Sequence, residues 1–395
     1  MAWISARRRT GWLQLHRWLG LVLGPVFVLL GLSGSLLVFY TEIDAAITPV
    51  LAVPGPAPEI RSWQAVLDAL ERAQPQRDRG WRIELPPEGR GIVTARYLKP
   101  AETAGEFFAP LLVSVHPQTG QVLAERFWGR FAATWVYDLH FSLLVGEPGV
   151  QVVGVLGLLF TLALVAGLLL WWPRAGHWRS ALRLRFGGPP QRRHYDWHKA
   201  LGLGGAALLL VLSLTGIVLA LPTWVEPLFH TVGGPAPSPR PVAPRLPGQP
   251  LLPLDAALAR VQAHWPGAVP RWVDTPAAGS AVLRVRLWLP GDPSRRFPHS
   301  LLWLHAQTGA VLAARDARQL PAGDALLAWV HPLHNGEALG LAGRVLVCVT
   351  GLVPLGLALT GWLRWRDRRR ARRLAVQGRR PIHSTPHPSH RGDRP

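Results

Sequence analysis

The sequence predicts a multi-pass membrane protein: a four-transmembrane-helix bundle with two external α+β domains, the whole built as an internal repeat. Three observations predict it. Residues 12–40, 148–172, 198–222 and 338–363 are apolar over the ~20 residues that a helix needs to cross a bilayer. The excess of basic residues falls on alternate connecting segments. The chain also carries the same motifs twice, in the same order.

The first span follows a short segment, 1–11, and is too long for a signal-peptide core, so it reads as an uncleaved anchor. Net charge is +20. Residues 1–12, 173–197 and 363–395 hold 3, 6 and 11 basic residues, against the acids Asp196, Asp367 and Asp393. The external segments 41–147 and 223–337 carry 10 basic residues each against 13 and 7 acids, so together they are neutral. The excess belongs to one membrane face, which marks cytoplasmic segments and argues against a nucleic-acid partner. Both termini and the 173–197 loop are therefore expected in the cytoplasm, with the lipid bilayer as the first partner. Trp12, Trp18, Trp171, Trp172, Trp178, Trp197, Trp224, Trp362 and Trp365 sit at span ends, where amphipathic rings prefer the headgroup layer. The single cysteine, Cys348, excludes a disulfide framework, a CxxCH attachment and a cysteine-ligated iron–sulfur cluster.

In the repeat, LHRWLGL at 15–21 matches WHKALGL at 197–203, an offset of 182. HPQTGQVLAER at 116–126 matches HAQTGAVLAAR at 305–315, offset 189, and WVYDLH at 135–140 matches WVHPLH at 329–334, offset 194. Small insertions explain the drift. In the first external domain, residues 61–74 have helical periodicity, and WRIEL, GIVTARY, LLVSV and QVLAE read as strands. In the second, a proline-rich linker at 231–253 precedes a helix at 254–264 and strands at 268–273, 281–289, 300–304 and 310–314. The basic tail at 364–395 reads as disordered beyond Leu374, with His383, His387 and His390 as weak metal candidates.

Four histidines fall at equivalent positions. His16 and His198 open the first and third spans; His140 and His334 precede the second and fourth. Pseudo-symmetry allows His16 to face His198 and His140 to face His334. Two neutral imidazoles across a bundle suit a b-type haem with two axial histidines, and two such pairs make two haems. The plainer reading is that each histidine is an interfacial anchor. On a straight helical wheel Gly20, Gly24, Gly31 and Gly34 share the His16 face, and Gly202, Gly205 and Gly216 share that of His198. Such faces admit a macrocycle or close helix packing. His331, three residues before His334, is the rival ligand of the outer pair. Arg344, within the fourth span, is a candidate for a haem propionate, as are Arg17 and Lys199 beside the inner pair.

LHRWLGLVLGPVFVLLGLSGSLLVF, DLHFSLLVGEPG, GLLLWWPR, WHKALGL and PLHNGEALGLAGR resemble the PepSY-associated transmembrane family of iron-regulated inner-membrane proteins, and the two HxQTGxVLA turns resemble the PepSY repeat itself. The resemblance runs from about residue 10 to 366. It implies two external PepSY-like domains, a bacterial inner membrane, and paired haems held by His16, His198, His140 and His334. It also implies a haem-b oxidoreductase that reduces ferric siderophores or other ferric chelates outside. Some relatives carry a fused flavin reductase domain; here a basic tail follows, so the implied electron donor is a separate reductase protein or a quinol. The alternative is a non-enzymatic, membrane-anchored PepSY binding or regulatory protein. HExxH, GxSxG and Walker A motifs are absent from the sequence.

Overall fold

A computed structural model describes residues 6–52, 56–86, 88–185 and 187–377. Its helices in chain order are α1 (Ala6–Val22), α2 (Gly24–Leu37), α3 (Tyr40–Ile47), α4 (Trp63–Ala73), α5 (Ala132–Ser142), α6 (Glu147–Trp171), α7 (Trp178–Leu182), α8 (Pro190–Ala220), α9 (Pro222–His230), α10 (Leu254–His264), α11 (Ala322–Asn335), α12 (Gly340–Thr350) and α13 (Val353–Gln377). The strands are β1 (Arg82–Glu84), β2 (Val93–Tyr97), β3 (Leu111–Val115), β4 (Val122–Phe127), β5 (Val269–Asp274), β6 (Val282–Trp288), β7 (Ser300–His305) and β8 (Val311–Arg315).

Among the described residues, three helical stretches are long and apolar enough to cross a membrane: Glu147–Trp171, Pro190–Ala220 and Glu337–Ala375. A fourth qualifies if α1 and α2 count as one span bent by 60°. Most of each apolar window is uncovered by protein, as lipid-facing helices require. The bend falls at Leu23, before Pro25, whose missing N–H cannot continue the ladder. A second break precedes Pro354. There Leu352 N–H donates to Val349 O (3.1 Å), which frees the Cys348 carbonyl, and Ser35 Oγ of α2 donates to it at 2.7 Å. At this crossing Gly31 and Gly351 bring the two backbones together; a Cβ on Gly31 would collide with the Gly351 carbonyl. Glycine is required at both positions.

The two segments expected outside the membrane do not fold apart. Their strands form one antiparallel sheet, eight-stranded among the described residues, in the order β4-β3-β2-β1-β5-β6-β7-β8, joined where β1 pairs with β5. One face is an apolar core of Ile83, Val93, Val113, Val273, Val285 and Leu302 under α4 and α10. These two helices cap each other. Asp255 of α10 accepts from the Trp63 and Gln64 amides of α4 (2.8 and 3.1 Å), and Gln64 Oε1 accepts from the Leu254 amide at 2.7 Å. Each helix thereby satisfies amide donors that its own first turn leaves free. The repeat persists in detail: β3 carries an irregularity between Ser114 and Val115, and β7 carries one at the equivalent Trp303 and Leu304.

The other sheet face looks at the helix ends. Arg126 of β4 pairs with Asp44 of α3 through both nitrogens (2.9 and 2.7 Å), and Arg315 of β8, its repeat mate, lies 4.0 Å from Asp324 of α11. The sheet is thus fastened over one end of the helices, called here the sheet side. The opposite end is the basic side. The expected strands and the 254–264 helix are present within two residues, whereas α5 and α11 were not anticipated. The helix α13 runs to Gln377, and His383, His387 and His390 lie outside the described residues.

Candidate functional site

Each of the four repeated histidines leans on a neighbouring helix in the same manner. On the sheet side, His140 of α5 places Nδ1 3.0 Å from Leu30 O and 3.1 Å from Ser33 Oγ of α2. His334 of α11 places Nδ1 3.1 Å from Leu212 O and 3.0 Å from Thr215 Oγ1 of α8. On the basic side, His16 of α1 has Nδ1 2.9 Å from Ala163 O of α6. There His198 of α8 has Nδ1 3.0 Å from Thr360 Oγ1 of α13, with the Leu357 carbonyl also in reach. The partners obey the repeat: Leu30 and Ser33 stand 182 residues before Leu212 and Thr215, and Ala163 stands 194 before Leu357.

These contacts fix the tautomer. A carbonyl can only accept, and the hydroxyls of Ser33, Thr215 and Thr360 donate their protons to Leu29 O (2.7 Å), Val211 O (2.7 Å) and Gly356 O (2.6 Å). Each imidazole therefore donates through Nδ1–H, which leaves the Nε2 lone pair free. A glycine opens the space for each ring. A Cβ built on Gly34, Gly216, Gly167 or Gly361 would lie 2.9, 3.1, 3.0 and 3.6 Å from Cε1 of His140, His334, His16 and His198 respectively.

The rings meet in pairs. His16 and His198 have centroids 6.0 Å apart with planes at 78°; His140 and His334 have centroids 6.2 Å apart with planes at 45°. A metal held by one imidazole nitrogen on each side, at about 2 Å apiece, separates two ring centroids by roughly 6 Å. Among the described residues no group of three or more His, Cys, Asp and Glu is placed to hold a metal ion. Each pair alone offers two nitrogen donors, so further ligands would have to come from a group brought to the site.

The PepSY-associated TM region family model matches residues 13–368, which includes all four histidines and both sets of partners. The chain belongs to this family. The uncharacterized protein PA4219 of Pseudomonas aeruginosa is 28% identical over 260 residues, covering 59% of this chain. The match spans 62% of that protein, less than two thirds of its length.

Within this PepSY-associated chain, the other residues singled out from the sequence make contacts of their own. Arg344 caps α2: it donates to the Val38 carbonyl (2.6 and 3.2 Å), pairs with Glu42 at 2.6 Å and lies 4.3 Å over the Phe39 ring. A cation is well placed at a helix C-terminus, and these bonds use Nε and Nη2 of Arg344. Lys199 donates to the Ala181 and Arg183 carbonyls (3.0 and 2.8 Å) that end α7 and lies 3.3 Å from Asp196. Arg17 donates to Gln14 and lies over Trp18, while its buried Nε has no hydrogen-bond partner among the described residues. His331 faces Phe297 edge-on at 5.1 Å and contacts Asn335; it does not enter the His140–His334 pair. His116 and His305 accept backbone amides within their turns.

Of the glycines on the predicted His16 face, only Gly34 touches a histidine, and that histidine is His140. The straight wheel fails because the span bends at Leu23. The basic-side rings rest instead on Gly167 and Gly361, which come from α6 and α13. Sequence reasoning also passed over Ser33, Thr215 and Thr360, although a small hydroxyl one residue before a glycine recurs at Ser33-Gly34, Thr215-Gly216 and Thr360-Gly361. Arg364, within electrostatic reach of both His16 and His198, was likewise missed.

Proposed function

We propose that this protein is a four-span haem-b oxidoreductase with two PepSY-like units. Its basic side faces the cytoplasm of a bacterial inner membrane, and it passes electrons outward to ferric siderophores or other ferric chelates. One observation carries the reading: two imidazole pairs, one at each end of the helices, whose four Nδ1 atoms are all tied to a neighbouring helix and whose Nε2 atoms are all left to bind. An interfacial anchor requires none of this, and a repeated anchor would not need a matching glycine and carbonyl on a second helix.

His16 with His198, and His140 with His334, would each hold one haem iron. The bound group supplies a one-electron Fe(III)/Fe(II) couple. The chain supplies the rest. Carbonyls and hydroxyls behind Nδ1 hold the rings in orientation and raise the basicity of Nε2. Gly34, Gly216, Gly167 and Gly361 let the rings sit against helix backbones. The apolar helices keep water away, which favours a single electron moving without a coupled proton. One electron reduces one ferric chelate, whose hard oxygen donors hold Fe(II) less tightly than Fe(III), so iron is released. The donor on the basic side is a quinol or a reductase protein.

The test is electron delivery. Haem-loaded protein in proteoliposomes is reduced, then mixed with a ferric hydroxamate chelate outside and a ferrous-specific chromophore. Haem reoxidation with stoichiometric ferrous iron supports the reading. A haem that stays reduced while chelate remains in excess refutes it.

A further inference from the structure

The sheet face that looks at the helices holds a cluster that neither the fold nor the histidine pairs account for. Three guanidiniums converge at its centre: Arg96 of β2, Arg271 of β5 and Arg296 of the loop between β6 and β7. Arg96 lies between the indoles of Trp128 and Trp272, 5.3 and 4.8 Å from their centroids. Arg296 lies 4.9 Å over Tyr40 and donates to its hydroxyl at 2.9 Å. Arg271 sits where the register of β5 shifts between Pro270 and Trp272; only 8% exposed, it donates to Leu85 O at 2.8 Å. One carboxylate, Glu84, stands between Arg96 (3.8 Å) and Arg296 (3.6 Å). The Glu337 carboxylate is taken by the Arg295 and Arg296 amides and Ser294 Oγ.

In all three arginines Nε is buried and has no hydrogen-bond partner among the described residues. Three unsatisfied charged donors in one place are costly, and an oxyanion is what satisfies them. Their position says where such a group would sit. The Tyr40 ring under Arg296 lies edge-on to Tyr137 at 5.9 Å, and Phe297 beside it is edge-on to His331 at 5.1 Å. Tyr137 and His331 are repeat mates, each three residues before a histidine of the sheet-side pair. The cluster therefore packs, through these rings, against the turns of α5 and α11 that lie one helical turn, ~5 Å, from that pair. Its walls are flat: Trp128, Tyr137, and Trp272 stacked on Phe297 at 5.8 Å and 12°.

We propose that Arg96, Arg271 and Arg296 form a carboxylate-binding site between the sheet and the His140–His334 pair, shaped for a carboxylate carried by a planar conjugated or multidentate ligand. Two sources share this chemistry: a propionate of a macrocycle held by the pair, or a carboxylate of an incoming ferric chelate. The first source rests on the function proposed above; the second does not. The loop that brings in Arg296 is pinned by Glu337, which directly follows α11, so the site and the His334 helix are mechanically linked.

The full-length chain in detergent separates the sources. In one arm, binding of haemin is compared with that of haemin dimethyl ester, which lacks the carboxylates. In the other, ferric citrate is compared with neutral ferric tris(acetohydroxamate), followed by quenching of the tryptophans around Arg96. At least one arm should show a preference of about tenfold or more for the carboxylate ligand, erased by Arg296→Gln and by Arg271→Gln. The ratio is read because a misfolded variant loses both ligands alike, and two variants are used so that one folding failure does not decide. Preference in the haemin arm assigns the site to the macrocycle; preference in the citrate arm assigns it to the chelate. No preference in either arm, or one that survives both substitutions, overturns the proposal. A chain that binds no haem yet prefers citrate keeps this site and loses the redox reading.

Discussion

The His140 ring rests against the bare backbone of Gly34: a Cβ at that position would stand 2.9 Å from Cε1 of the imidazole. The same contact recurs between His334 and Gly216 at 3.1 Å and between His16 and Gly167 at 3.0 Å, but relaxes to 3.6 Å between His198 and Gly361. Separations near 3 Å force the ring to move, and 3.6 Å is ordinary van der Waals contact. The rings are thus positioned by absent side chains, and the four sites differ in how much intrusion they tolerate.

Gly34→Ala should therefore lower haem occupancy of the sheet-side site while the basic-side site keeps its spectrum, and Gly167→Ala should do the reverse. Gly361→Ala should leave both in place. With haem in both pairs as proposed, electron paramagnetic resonance of the oxidised protein would resolve two low-spin centres by their ligand-plane angles and read out which one is lost. Equal losses in Gly361→Ala and Gly167→Ala would contradict the steric argument.

Removing a hydroxyl behind an imidazole tests the role of Nδ1. Thr360→Val keeps the volume and removes the 3.0 Å acceptor of His198. Loss of such an outer partner costs roughly 10-fold or more in metal affinity. Haem titration of the basic-side site should show that loss, with no change in the sheet-side site.

The two arginine contacts that hold the sheet over the helices are unequal. Arg126–Asp44 is bidentate and mostly buried, with side chains 20 and 16% exposed, whereas Arg315 only approaches Asp324 at 4.0 Å. Arg126→Gln should destabilise by about 1–3 kcal/mol, the range for a charge-assisted hydrogen bond, and Arg315→Gln by less. Thermal unfolding in detergent checks the order.

Glu42 supplies a pH dependence. Burial alone would raise its carboxyl, but the hydrogen bond from Arg344, helped by the Thr41 hydroxyl, holds it below the usual glutamate value. A depressed folded-state pKa contributes stability that is present above the unfolded value of 4.5 and is lost as pH falls through the folded one. Arg344→Gln should thus lower the unfolding temperature at pH 7, and the gap from wild type should close in acid below about pH 4. A gap that stays constant down to pH 3 would assign the effect to the Val38 carbonyl cap instead.

Much of this was legible in the chain because duplication makes geometry visible: WHKALGL repeating LHRWLGL, and WVHPLH repeating WVYDLH, is what pairs His16 with His198 and His140 with His334. The strands of both external segments followed from alternation. What escaped depends on where separate elements meet. Nothing local in RIE at 82–84 says that it will pair with β5 and fuse two units into one sheet. A straight wheel could not know that Leu23 begins a 60° bend, so it puts Gly34 on the His16 face without showing that His140 lies against it. Arg344 looked free because its partner, the Val38 carbonyl, is 306 residues away.

The central claim is that each imidazole pair holds an iron. The direct measurement is the haem content per chain of protein expressed with haem supply, by pyridine haemochrome absorbance, for wild type and the His16→Ala, His198→Ala, His140→Ala and His334→Ala variants. The account predicts two haems b per chain in wild type and one in each variant. A colourless wild-type protein after added haemin, or a content unchanged by all four substitutions, would contradict it.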